Sequence, residues 1–119
     1  MKSYTDIEQS KVLAKILPLE SANMKWFFWK EEIDAPKTPT FGYSKTAAES
    51  YKDTEAVYLP CWSLAALLNV LPKSLIYTPN PALDGYSCKN IMHDLETYGD
   101  NPIDACYEMI LKLNELKML

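Results

Sequence analysis

The side chains in this chain that could carry covalent or proton-transfer chemistry are few: one histidine, His93, and three cysteines, Cys61, Cys88 and Cys106. His93 with Asp94, Tyr98, Cys88 and Tyr107 could be assembled into an acid–base or thiol–imidazole site, and a small ligand pocket or enzyme centre near His93 and Cys88 is one reading. Such a site needs the thiolate and its base within hydrogen-bond reach. No motif frames these residues: there is no nucleophile elbow, no HExxH and no Gly-rich loop. Three glycines in the whole chain leave little with which to cradle a phosphate. The plainer reading puts His93 on the surface at a strand end and leaves the thiols as buried apolar groups, the usual state of unpaired cysteine.

Metal chemistry is argued against on the same grounds. Structural zinc takes four Cys or His ligands at short paired spacings, and here no CxxC pair exists and the cysteines are widely spaced. Asp100, Asp104 and Glu108 gather near one expected helix start, where they could hold a cation. The positive helix end already accounts for Asp104. No metal, no cofactor and no catalytic residue is expected.

The second group of conspicuous residues is aromatic. Trp26, Phe27, Phe28 and Trp29 are consecutive, and Tyr43, Tyr51 and Tyr58 follow in a polar segment. Aromatics are enriched where proteins bind one another, and they are also ordinary core. A strand would send Trp26 and Phe28 to one face and Phe27 and Trp29 to the other. Both faces are then apolar, so each must be covered, either within the chain or by a partner. Cover within the chain is the expectation; a partner interface at Trp26, Phe27, Phe28 and Trp29 is the candidate binding site.

Charge narrows the partners. All twelve basic residues are lysines, against sixteen acids and a formal net charge of −4. Arginine is the usual bidentate reader of phosphate and guanine, so nucleic acid is not an expected partner. Residues 1–9 lack a basic region followed by an apolar one, and no lipidation signature is present. A cytoplasmic protein with no membrane segment is expected.

The elements that would position these groups follow from pattern. A length of 119 residues suits a single globular domain over 1–119. Residues 5–17 read as an amphipathic helix opened by a Thr5/Glu8 capping box, with Ile7, Leu13, Ile16 and Leu17 inward and Lys11 and Lys15 outward. Residues 24–30 read as the aromatic strand. Residues 31–55 read as a long loop or loose hairpin with a helical turn around Ala47. Val57–Leu59 reads as a short strand. Pro60 to Pro72 is almost wholly apolar and reads as a buried core helix starting at Pro60 and ending by Leu71. Trp62, at the entry to this helix, is expected in the core with its N–H on backbone. Residues 74–78 and 86–92 read as a hairpin around the turn signals at 79–85, and 93–98 as a further edge strand or loop. Asn101 as cap, Pro102 at the first position and the stripe Ile103, Cys106, Ile110, Leu113, with Met109 and Leu116 beside it, read as the last helix. The fold class expected is α+β, a small antiparallel sheet of three to five strands with about three helices packed on it.

Three stretches together resemble an uncharacterised family of small proteins from Bacteroides-type gut bacteria and their prophages and mobile elements. They are Glu8-Gln9-Ser10-Lys11 with Leu13, then Leu59 to Leu68, and Asp100 to Ile110. The resemblance covers most of the chain, with 31–55 variable, and implies a bacterial or phage origin; it transfers no chemistry. The function expected is a non-enzymatic protein-interaction module, self-associating or an accessory or inhibitor of a mobile element.

Overall fold

The six-residue strand that carries the aromatic run organises one half of the chain, and a three-stranded meander packed by the last helix organises the other. The computed structural model describes residues 2–32, 34–35, 37–72, 74–77 and 85–119. The fold is α+β, with two three-stranded antiparallel sheets and four α-helices among the described residues. The chain divides into two compact units, Asp6–Ser63 and Met1–Thr5 with Leu64–Leu119.

In the first unit, α1 (Ile7–Leu13) opens with a capping box shifted by one residue from the expected pair. Asp6 Oδ1 accepts from Gln9 N–H at 2.7 Å, and Gln9 Oε1 accepts from Asp6 N–H at 3.1 Å. Thr5 is fully buried instead, and Asp is the stronger cap. Leu13 and Leu17 are buried while Lys11 and Lys15 are exposed. β1 (Met24–Trp29) pairs along its whole length with β3 (Ala56–Cys61), and over two residues with β2 (Thr40–Phe41), giving the order β2-β1-β3. α2 (Lys45–Ser50) is the helical turn expected around Ala47, capped by Ser44 Oγ accepting from Ala47 N–H at 3.2 Å.

β3 runs past the expected strand and takes Pro60 and Cys61 out of the expected helix. Satisfying all six residues of β1 outweighs the helix-starting preference of one proline. The proline fits because of parity. Lys30 N–H donates to Glu55 O at 2.7 Å in the ladder's own register, so alternate pairs are hydrogen-bonded and Lys25–Pro60 falls between them. The proline nitrogen thus points off the ladder on an edge strand, where no donor is missed. Trp62 is fully buried, and its Nε1–H donates to Ser21 Oγ at 3.0 Å rather than to backbone.

In the second unit, α3 (Leu64–Val70) starts after the break at Trp62–Ser63 and ends at Val70, short of Pro72 as its proline boundary requires. Ala66 and Leu67 are buried, but Ala65 and Asn69 are exposed, so the helix is one-sided rather than buried all round. β4 (Ser74–Tyr77), β5 (Tyr86–Asn90) and β6 (Leu95–Gly99) form a meander in the order β4-β5-β6. The turn signals at 79–84 lie outside the described residues. α4 (Pro102–Glu115) has Asn101 as its cap, with Oδ1 accepting from Asp104 N–H at 2.9 Å. It lays Ile103, Cys106, Met109, Ile110 and Leu113 against the sheet and α3, while Leu116 is exposed. Thr97 Oγ1 donates to Ala105 O at 2.8 Å, tying β6 to the first turn of α4.

Candidate functional site

Alternation along β1 decides what the aromatic run can present. Trp26 and Phe28 are 5% and 6% exposed, so they belong to the core. Phe27 and Trp29, on the opposite face, are 39% and 43% exposed. The expectation that the chain covers both faces therefore holds for one face and only in part for the other. A partial cover exists because α2 ends in Tyr51 and β3 places Tyr58 opposite Phe27.

These rings form one cluster. Phe27 meets Tyr51 edge-on at 4.9 Å between centroids, Tyr58 at 6.0 Å and Trp29 at 5.9 Å. Tyr51 and Tyr58 lie nearly parallel at 5.9 Å, and Tyr43 sits 5.4 Å from Tyr58. Ser44 N–H donates to the Tyr58 hydroxyl at 3.0 Å, which fixes the start of α2 over the sheet. Burial, with the neighbouring Tyr58 and Glu49, pushes the Tyr43 phenol above its ordinary value. Beside the cluster opens a cleft of about 300 Å³ lined by Lys25, Phe27, Thr38, Thr40, Ala47, Tyr51 and Tyr58. The Lys25 ammonium stands 5.6 Å from the Tyr58 ring centre, a cation–π distance.

Sequence reasoning singled out Phe27, Tyr43, Tyr51 and Tyr58 and missed Lys25, Thr38 and Thr40. Lys25 was within reach of the same argument, since it shares the odd-numbered face with Phe27 and Trp29. The two threonines carry no local signal, because their place depends on the pairing of β2 with β1.

The histidine–thiol arrangement is not brought together as a site. Cys88 is fully buried on β5, where its side chain meets Cys106 of α4. The hydrogen bond from Cys106 pulls the Cys88 thiol down, and the same bond with burial pushes Cys106 far up. His93 sits in the exposed turn Ile91–Asp94, its N–H donating to Asn90 Oδ1 at 3.1 Å. It borders a cleft of about 180 Å³ with Leu71, Asn90, Leu113 and Met118 among its walls, and Cys88 is not one of them. Tyr98 donates to Glu96 on the outer face of β6, and Asp94 faces Lys89 at 3.8 Å. Cys88 lies in a strand as expected, Cys61 lies in β3 rather than in the helix expected from Pro60, and all three thiols are buried and unpaired by disulfide. Asp104 accepts from Lys2 Nζ at 2.8 Å and from Asn101 Nδ2 at 2.9 Å, so its oxygens are engaged in holding the helix start.

Among the described residues, no group of three or more His, Cys, Asp or Glu side chains could hold a metal ion. No helix among them is long and apolar enough to cross a membrane. No family model, no curated protein and no solved structure matches the chain.

Proposed function

We propose that this chain is a non-enzymatic protein-interaction module that works through the outward face of β1, in self-association or as an accessory or inhibitor encoded by a bacterial mobile element. The observation that supports it is the exposure of Phe27 and Trp29, at 39% and 43%, on a strand whose other face is core. Large aromatic side chains give interfaces much of their binding energy when water is excluded around them. Trp26 and Phe28 hold the strand rigid from behind and are not themselves presented. The setting proposed is cytoplasmic, in keeping with three cysteines that stand as thiols, and nucleic acid is not the partner, in keeping with an all-lysine, net acidic chain.

Sedimentation velocity over a concentration series tests the self-associating form. The wild-type protein should gain mass with concentration, and the double variant Phe27→Ser/Trp29→Ser should stay monomeric. A wild-type chain that remains a monomer removes self-association; if the double variant also leaves every partner interaction of the native protein unchanged, the reading fails altogether.

The second reading, a ligand-binding pocket near His93 and Cys88, is favoured only by the cleft that His93 borders. His93→Ala should then change thermal stabilisation by a bound metabolite. An unchanged profile counts against it.

A further inference from the structure

We propose that the cleft formed by β1, β2, β3 and α2 binds an aromatic ring that carries a carboxylate on a short chain. The walls are suited to a ring: Phe27, Tyr51 and Tyr58 present aromatic surface from three elements, at mutual centroid distances of 4.9 to 6.0 Å. Its size suits a ring with something attached. A cavity of about 150 Å³ is enough for benzene, and this cleft measures about 300 Å³.

The polar groups fix the sign of the attachment. Among the described residues that line the cleft, Lys25 is the charged side chain and none is a carboxylate. Its ammonium rests over Tyr58 at 5.6 Å, with no ion pair to a described residue, and is ready to take an anion. Thr38 and Thr40 add hydroxyls that can donate to a carboxylate oxygen. Aromatic rings beside a few convergent polar groups are a recurring feature of small-ligand sites. An amine of the same shape would meet the lysine and be repelled.

This site shares Phe27 with the interaction face proposed above and extends that reading, but it depends on Lys25 and Tyr51, not on Trp29. The two can therefore fail separately. The source of the ring and carboxylate is either a free aromatic acid or the C-terminal residue of a peptide.

The experiment is backbone-amide NMR titration of the full chain with three probes of equal ring and chain length: 3-phenylpropanoate, 3-phenylpropan-1-ol and 3-phenylpropylammonium. The acid should shift amides in β1, β2 and α2, and should bind about tenfold more tightly than the alcohol, the worth of one charge-assisted hydrogen bond. Lys25→Met should erase that preference while leaving sedimentation unchanged; Trp29→Ser should leave the preference intact. A pair of acetylated tripeptides ending in Phe, one with a free carboxylate and one amidated, separates the sources. Tighter binding of the free carboxylate peptide than of 3-phenylpropanoate assigns the site to a peptide C-terminus, and the reverse order assigns it to a small acid. Equal binding of acid and alcohol, shifts confined to the His93 turn, or no shift with any probe overturns the proposal.

Discussion

At the scale of single residues, parity within β1 separates side chains that sequence alone makes look equivalent. Trp26 and Trp29 are three apart, yet one is 5% and the other 43% exposed. Trp26→Ala should cost about 3–5 kcal/mol, the usual loss for a buried large aromatic, whereas Trp29→Ala should cost under about 1 kcal/mol; urea unfolding of the two variants makes the comparison. The thiol pair yields a second contrast. Cys106 is held protonated in the folded protein, so its contribution is fully present below the unfolded thiol value of 9.0 and is lost as pH rises through the folded one. Cys88 is shifted the other way, by the bond from Cys106, so its contribution is present above the ordinary thiol value and lost as pH falls through the folded one. Above the ordinary thiol value the Cys88 contribution is constant, so the loss at Cys106 should weaken the folded state as pH climbs above 9.0. Burial alone would raise Cys88 once Cys106 is gone, so the double variant Cys88→Ala/Cys106→Ala is the test: its urea midpoint should depend less on pH in that range than that of the wild type. An identical slope in the two proteins would show that the buried thiols do not set this dependence.

At the scale of elements, two positions next to α4 set opposite demands on the backbone. Gly99 closes β6 where the chain meets the start of α4: a Cβ there would lie 2.6 Å from Ala105 N and 2.7 Å from Asp104 Cβ. Gly99→Ala should therefore destabilise the second unit by about 1–3 kcal/mol, the cost of overpacking against backbone that cannot yield. Lys117 is the reverse case. It takes φ +58° just past α4, with Met118 N–H donating to Leu113 O at 2.8 Å and Lys117 N–H to Asn114 O at 3.1 Å, a Schellman ending that favours glycine. Lys117→Gly should stabilise by about 1 kcal/mol, read as a rise in melting temperature. The elements legible in the sequence were those whose signal is local: α4 by its Asn101–Pro102 start and apolar stripe, β1 by its aromatics, the β4–β5 hairpin by alternation. Those that were not legible depend on distant pairing. Nothing near Pro60 says that six residues must answer β1, so a helix-starting proline proved to be a strand residue. The capping box at Thr5 differs from the one at Asp6 only by whether residue 5 is needed in the interior.

At the scale of the whole chain, composition makes a claim that no local feature can. Twelve lysines and sixteen acids are spread along the sequence, and the described ion pairs are short-range or partly exposed: Lys2–Asp104, Lys11–Glu8 and Lys89–Asp94. Such pairs contribute little to stability, so charge here acts mainly on solubility and on the choice of partner. The candidate cleft fits that picture, because it concentrates one lysine against aromatic walls in a chain that is acidic as a whole, and selects by a local sign that opposes the global one. The same reasoning sets two outcomes for the intact protein. Its solubility should pass through a minimum near pH 4.9, where the sequence balances its charge, and on either side of that value added salt should have opposite effects on long-range attraction to an anionic surface. At neutral pH the net charge of −4 should repel the phosphate backbone, so that no retarded band forms with duplex or single-stranded DNA even at low salt, where counterion release gives a basic surface its greatest advantage. A retarded band that vanished with salt would mean that the lysines gather on one surface strongly enough to outweigh the excess of acids, and would move the search for a partner from aromatic carboxylates to phosphates.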